Sequence, residues 1–257
     1  MIDCHCHILP NLDDGSDSVE QSVKMAEVAV EEGITTIIVT PHHAHPYFET
    51  TTEDMTRSLN VLQEKLELYN IPLELLPGQE IRLFGDLIEH LALGKSVPLT
   101  GDGRYVLIEF PTTSIPSYSE RIFYELAVGG YTPIIAHPER NKIFIDNPHK
   151  LFEFVKNGAL TQITSSSLTG HFGKKIQSFT LQIIESNLAH ILASDAHNLK
   201  ARTFRMRESF DLLKEHFGTE LCNQFNENAK QVLKNEFISV NPPEFIKKKK
   251  KLFSFFK

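Results

Sequence analysis

The sequence predicts an α/β protein: a single closed or nearly closed barrel of seven strand–helix units, filling most of its 257 residues. Three observations carry that expectation. Short β-branched apolar runs alternate with stretches of helical period, seven times in succession. Each strand-like run is followed by a helix, which is the connection that parallel strands require. No break in composition or low-complexity linker interrupts the units before Asn241, so one core can serve them all. A doubly wound open sheet is the alternative with the same alternation.

The first run, residues 1–7, is extended and reads Met-Ile-Asp-Cys-His-Cys-His. Alternate side chains of a strand share a face, so His5 and His7 point together while Cys4 and Cys6 point away. Residues 11–17 are dense in turn formers. A helix over about 18–32 follows, with Val23, Ala26 and Val30 in its apolar stripe and Gly33 as its stop. Residues 34–40 form a buried strand ending at Pro41-His42-His43, and 52–69 a helix with Leu59, Leu62, Leu66 and Tyr69 at helical spacing. The third strand, 73–80, is interrupted near Pro77-Gly78 and leads to a short helix around 85–93. Strand 105–110 carries Glu109, and helix 118–128 leads to strand 132–136, which runs into His137-Pro138-Glu139-Arg140. Helix 149–157 stops at Gly158, and strand 160–164 empties into three serines, Ser165 to Ser167. Helix 174–186 precedes the seventh strand, 190–194, which delivers Asp195-Ala196-His197. Helices over about 202–217 and 219–233 close the folded part.

Composition excludes several function classes. A net charge of −7 argues against a nucleic-acid surface. Three cysteines, Cys4, Cys6 and Cys222, have no framework spacing and read as reduced thiols. No charged-then-apolar leader precedes the first strand, and no apolar run approaches the roughly 18 residues that span a bilayer. The expectation is a cytoplasmic protein.

In barrels of this kind the chemistry is built where strands finish. Those positions here hold His5, His7, His42, Glu80, Glu109, His137, Asp195 and His197; only the sixth strand, with its serines, offers no obvious ligand. Singly, each has an ordinary structural explanation. Together they point to a carboxylate-bridged site for several metal ions. Imidazole and carboxylate without thiolate suit Mn²⁺, Fe²⁺ or Zn²⁺. A carboxylate shared by two cations sets them about 3.5–4 Å apart and lowers the pKa of a bridging water, giving a hydroxide nucleophile at neutral pH. Asp13-Asp14-Gly15 adds carboxylates nearby, with turn formation the competing explanation. Arg140 and Arg202 stand close in sequence to His137 and His197, and arginine grips phosphate oxygens in two-pronged geometry. No arginine lies six residues after any cysteine, so a cysteine-nucleophile phosphatase loop is excluded.

His5-Cys6-His7, Thr40-Pro41-His42, Gly78-Gln79-Glu80, Ile108-Glu109-Phe110, Ala136-His137-Pro138-Glu139-Arg140 and Ser194-Asp195-Ala196-His197 resemble the motifs of the PHP (polymerase and histidinol phosphatase) superfamily. The run from Asp3 through Asp13-Asp14-Gly15 is similar to one subgroup, the manganese-dependent tyrosine-protein phosphatases of bacterial capsular and exopolysaccharide loci. The resemblance spans about residues 1–235. It implies a distorted seven-unit PHP-type barrel over 1–240 holding up to three ions, Mn²⁺ first, with Fe²⁺ or Zn²⁺ as alternatives. By position, His5, His7, Glu80 and Asp195 would hold one ion and Glu80, Glu109 and His137 a second. Asp14, His42 and His197 would hold the third, and Arg140 and Arg202 would match the phosphate-binding arginines. His43 and His45 match no ligand position and are left as rim residues.

The implied activity is hydrolysis of phosphotyrosine in a protein partner, a membrane-associated tyrosine kinase and its targets in polysaccharide export. A small-molecule phosphatase of the histidinol-phosphate type and a non-catalytic binding module on the same fold are the alternatives. The complete ligand set disfavours the latter. The segment 241–257, with Lys247 to Lys251 followed by Leu252, Phe253, Phe255 and Phe256, lies outside the core pattern. Lysines beside aromatic rings suit an anionic membrane surface, so a peripheral contact at the inner face of the membrane is expected, with a solvated tail as the alternative.

Overall fold

The computed structural model describes residues 1–246. Nine parallel strand segments make up seven staves: β1 (Ile2–Cys6), β2 (Thr36–Val39), β3 (His42–His43), β4 (Glu74–Leu76), β5 (Glu80–Arg82), β6 (Tyr105–Glu109), β7 (Thr132–Ala136), β8 (Leu160–Thr164) and β9 (Ile191–Ala193). One sheet has the order β1-β2-β4 and the other β3-β5-β6-β7-β8-β9. β3 continues β2 and β5 continues β4. Pro41 and Pro77 sit at the two interruptions, where a missing N–H cannot serve a ladder. The last stave meets the first: Asp195 N–H donates to His5 O at 2.8 Å and His7 N–H to Ala196 O at 2.9 Å. Adjacent first and last strands make a ring and exclude the doubly wound alternative.

The helices wrap the outside: α1 (Val19–Glu31), α2 (Thr52–Leu68), α3 (Leu87–Ala92), α4 (Ser119–Val128), α5 (Lys142–Asp146), α6 (Pro148–Lys156), α7 (Ser165–Leu168), α8 (Lys174–Glu185) and α9 (Met206–Leu233). Side-chain caps start the first two, with Ser18 accepting from Gln21 N–H and Thr51 from Asp54 N–H. α9 is the two closing helices expected from sequence, which meet at a kink at Gly218, whose φ of 88° no helix contains. Its start is Met206, so Arg202 lies in a loop. The serine run after the sixth strand forms the short helix α7, which was given no conformation from sequence, and α5 was not anticipated.

Two cores result. Helix faces such as Met25, Ala26, Met55 and Leu62 pack on the outward residues Ile37, Val39, Val106, Ile108 and Ile135. The interior of the ring is filled by Ile38, Leu107, Ile134, Leu160 and Ile191, closed at the strand-start end by Ala229 and Val232 of α9. Burying such aliphatic side chains is worth about 1.5–3 kcal/mol each, so the ring interior is a packed core at this end. β1 departs from strict alternation. Its pairing with β2 shifts between Asp3 and Cys6, and the extra residue sends Cys4 to the inner core and Cys6 to the outer one. The two cysteines therefore do not share a face, contrary to the simple pattern, while His5 and His7 still do.

Candidate metal centre

All the expected strand-end residues emerge at one end of the ring. β1 supplies His5, with His7 just past its end, β3 His42, β5 Glu80 and β6 Glu109; His137 follows β7, and Asp195 and His197 follow β9. His42 and Glu80 are register partners on adjacent staves. His137 and Asp195 have left-handed backbone, with φ of 31° and 51°. For residues carrying a Cβ this costs roughly 1–2 kcal/mol each, and it turns the chain sharply as it leaves the strand. Asp14 arrives on the loop after β1. A Cβ on Gly15 would stand 2.1 Å from His7 O, so only glycine lets this loop lie against the strand.

Glu80 is the hub. Its Oε1 meets His137 Nε2 at 2.6 Å. Its Oε2 lies 3.3 Å from His5 Nε2, 3.2 Å from His7 Nε2 and 3.1 Å from His42 Nδ1. His5 and His7 bring their Nε2 atoms within 3.1 Å of each other. Asp195 Oδ1 is 3.4 Å from His5 Nε2, and Asp14 Oδ1 is 3.4 Å from His42 Nε2 and 3.3 Å from His197 Nε2. Donor atoms about 3.0–3.5 Å apart are the edges of a coordination polyhedron whose bonds are about 2.0–2.2 Å. Three of them, His42 Nδ1, Glu80 Oε2 and His197 Nε2, are buried without a hydrogen-bond partner. The donor set thus fits divalent cations that accept nitrogen and oxygen.

Among the described residues, three groups bring their donor atoms within 4.8 Å: His7, Asp14, His42 and His197; His5, His7 and Glu80; and His42, Glu80 and Glu109. The members expected from the resemblance are all at the cluster, though His7 also joins the Asp14 group and His42 stands beside Glu80 and Glu109.

Burial pushes the Glu80 carboxyl up, but the surrounding His5, His42 and His137 outweigh it and hold the group well below the usual range. Burial likewise raises Asp195, and Arg140, Arg202 and His5 bring it well below. Both stay ionised. Burial lowers His7, yet Asp13 and Glu80 raise it to about 10; a cation entering here takes the place of a proton. His197 is pushed down to about 4 by burial, with His7 adding to the effect, which keeps its ring in the neutral, ligating form.

Both arginines reach the cluster. Arg140 Nη1 donates to Asp195 Oδ2 at 2.5 Å, and its guanidinium lies 5.5 Å from the Phe172 ring centroid. Arg202 donates from Nη1 to Asp14 Oδ2 and from Nη2 to Asp195 Oδ1, each at 3.2 Å. Its loop is pinned: His197 N–H donates to Arg202 O at 2.8 Å, and Asn198 Oδ1 accepts from Arg202 N–H. Their side chains are 22% and 28% exposed, so they stand at the mouth of the site.

Several contributors escaped the sequence reading. Asp13, weighed as a nearby carboxylate or a turn former but given no ligand position, accepts from His7 Nδ1 at 2.6 Å and from His42 N–H at 2.9 Å. Gln162 is the sixth strand's contribution, its Oε1 2.8 Å from His5 Nδ1; a glutamine at an inward position of an apolar strand was the available signal. Arg82, two residues after Glu80, donates to Glu109 Oε2 at 2.8 Å. Such partners fix the tautomer and aim of ligating groups. His43 is not at the rim: it is 3% exposed, with Nδ1 3.1 Å from Thr50 O. Burial keeps the Cys4 and Cys6 thiols far above their ordinary pKa, so neither is a nucleophile. A cavity of about 740 Å³ lies at the opposite, strand-start end among Tyr124, Tyr131, Phe154 and Phe237, and has no histidine among its described lining residues.

Residues 1–234 match the family described as capsular polysaccharide synthesis, CpsB/CapC. The tyrosine-protein phosphatase YwqE of Bacillus subtilis is 45% identical over 256 residues, covering all of both chains. A putative tyrosine-protein phosphatase, CapC of Staphylococcus aureus, is 42% identical over 98% of this chain and 99% of its own. A solved structure from work on YwqE and the CpsB of Streptococcus pneumoniae, described as metal-dependent tyrosine phosphatases, superposes with a TM-score of 0.94 at 45% identity. It covers 96% of this chain and 100% of that one.

Proposed function

Because the chain belongs to the CpsB/CapC capsular polysaccharide synthesis family, we propose that it is a metal-dependent protein-tyrosine phosphatase, a phosphoric monoester hydrolase working in capsule or exopolysaccharide synthesis. The observation that carries this reading is the Glu80 carboxylate set among His5, His7, His42 and His137 with two arginines at the mouth. His5, His7, Glu80 and Asp195 would hold one ion, Glu80, Glu109 and His137 a second, and Asp14, His42 and His197 a third, with Mn²⁺ the metal that suits these donors. When bound, such ions supply Lewis acidity and lower the pKa of water at neutral pH.

The chain's own residues do the rest. Arg140 and Arg202 converge on Asp195 from two sides, so a phosphate seated beside it is gripped twice and its developing charge is neutralised. Asp13, Gln162 and Arg82 hold His7, His5 and Glu109 in their aims. A phenolate leaves readily, with a pKa near 10, so a strong general acid at the leaving group is less critical than for a sugar phosphate.

The substrate we assign is a membrane-associated tyrosine kinase and its phosphotyrosine targets, approached from the cytoplasmic side. Among the described residues no helix is long and apolar enough to cross a membrane. The expected basic-aromatic segment, 247–257, lies outside the described residues; we assign it the role of a peripheral contact with an anionic membrane. Residues 1–240 would form the catalytic domain.

The test is a side-by-side rate measurement on a phosphotyrosine peptide and on histidinol phosphate, before and after chelation. The peptide should be the better substrate, chelation should abolish turnover, and Mn²⁺ should restore it. Activity that survives exhaustive chelation, or a preference for histidinol phosphate, would overturn the proposal.

A further inference from the structure

The loop between β3 and α2 carries a feature that metal binding does not need. Residues 45–48, His-Pro-Tyr-Phe, form a tight turn in which His45 N–H donates to Phe48 O at 3.1 Å and Phe48 N–H to His45 O at 3.2 Å. The base of the turn is tied down as well. Thr50 N–H donates to His42 O at 3.2 Å, and Ala44, whose φ is 55°, donates its N–H to Glu49 Oε2 at 3.1 Å. Tyr47 N–H donates to His45 Nδ1 at 3.3 Å, which fixes the His45 ring and its tautomer. This turn is built, and it is built against the metal centre.

Its rings cluster, nearly parallel, beside a candidate ligand. The centroids of His42 and His45 are 4.7 Å apart at an interplanar angle of 21°; those of His45 and Phe48 are 5.4 Å apart at 20°. His42 and Phe48 are nearly parallel, at 11° and 5.9 Å. Beyond them Tyr47, its centroid 5.7 Å from that of His45, is 85% exposed. A tyrosine that open at the tip of a tied turn gains nothing from the core. Aromatic faces at the mouth of a phosphate site offer stacking to a flat partner. The partner an aryl phosphate would bring is the ring bonded to the ester oxygen; an alkyl phosphate brings none.

We propose that residues 45–48 are the aryl-recognition wall of this site, with His45 and Phe48 receiving the phosphorylated ring and Tyr47 the polypeptide that carries it. The inference rests on the phosphatase reading above and adds the residues that select aryl over alkyl esters. It also assigns His45, which holds no ligand position, a specificity role. Because the wall is preorganised by its own backbone hydrogen bonds, its contribution lies in substrate binding, and its loss is read in KM more than in kcat.

The experiment compares the full chain, loaded with Mn²⁺, with its His45→Asn and Tyr47→Ala variants. Asparagine keeps an acceptor for Tyr47 N–H and removes the ring face. Three substrates are used: a phosphotyrosine peptide, phenyl phosphate, and a phosphoserine peptide of the same sequence. His45→Asn should lower kcat/KM for both aryl esters relative to the phosphoserine peptide by about 3- to 10-fold, mainly through KM, as a lost ring stack would. Tyr47→Ala should raise KM for the phosphotyrosine peptide more than for phenyl phosphate. Metal content measured on each variant separates a lost wall from a disturbed His42. Variants with full metal and unchanged substrate ratios overturn this inference and leave the phosphatase reading standing. A wild-type chain that cleaves none of the three esters overturns the phosphatase reading instead.

Discussion

Arg140 and Arg202 end on one carboxylate, Asp195, and that convergence gives the sharpest expectation at the scale of single residues. A charge-assisted contact to phosphate is worth about 1.5–3 kcal/mol, so Arg140→Ala and Arg202→Ala should each lower kcat/KM by roughly 10- to 100-fold. Thermal unfolding of the metal-loaded variants should remain cooperative. Wild-type kinetics in both variants would remove the phosphate assignment. Cys6 gives the opposite expectation. It is fully buried, with Sγ 3.6 Å from Ala196 O, and its thiol is held protonated, so Cys6→Ser should retain turnover. An inactive Cys6→Ser protein that folds and binds metal would reopen thiol chemistry.

At the scale of elements, the loop after β1 decides whether the centre assembles. Ser16 N–H donates to His7 O at 3.1 Å, and Gly15 N–H donates to Asp13 Oδ1 at 2.9 Å. These contacts press the loop onto the strand and place Asp13 and Asp14 on two sides of the histidines. An added methyl at Gly15 meets His7 backbone, which cannot retreat without moving β1. Gly15→Ala should therefore cost about 1–3 kcal/mol of stability and reduce bound metal. Gly85→Ala, where a Cβ meets nothing within 4 Å, is the control. Equal metal content and equal unfolding midpoints in the two variants would show that the loop is not seated as described.

The whole molecule should lose stability in acid for a reason far from the metal centre. His190 is 4% exposed and its Nδ1 accepts from Thr161 N–H at 3.0 Å. Burial pushes its pKa down to about 4, whereas the unfolded chain protonates near 6.5. The unfolded state therefore binds the extra proton between these values. The stability this group contributes is complete above about pH 6.5 and declines toward pH 4, by up to about 1.4 kcal/mol per pH unit. His190→Asn keeps an acceptor and cannot titrate. Urea unfolding of both proteins should diverge in slope between pH 6.5 and 4.5, and parallel curves would refute the assignment. The other whole-molecule expectation concerns the C-terminus. Residues up to Ile246 rest on the body, with Glu244 N–H donating to Ser186 O at 2.8 Å and Phe245 stacked 3.9 Å from Phe152. Truncation after Ile246 should leave turnover of a short phosphopeptide unchanged and weaken binding to vesicles rich in anionic lipid, most visibly at low salt. Equal, poor sedimentation of both forms would discard the membrane role.

The alternation of strand and helix periods by itself determined the seven staves, because each parallel crossover needs a helix that the sequence can display locally. It also determined which residues stand at the strand ends, since His42, Glu109, His137 and Asp195 lie where β-branched runs stop, and Glu80 follows a leucine-rich run broken at Pro77-Gly78. Ring closure was expected but not decided by it, since a doubly wound sheet has the same alternation: closure rests on Asp195 N–H pairing with His5 O and His7 N–H with Ala196 O, contacts between segments about 190 residues apart. The shift in β1 that parts Cys4 from Cys6 was equally hidden, because a bulge is decided by the neighbouring strand and leaves no period of its own. The same holds for Gln162 behind His5 and Asp13 behind His7. Their roles come from what stands opposite them in three dimensions, and only the folded chain sets those atoms within hydrogen-bond reach.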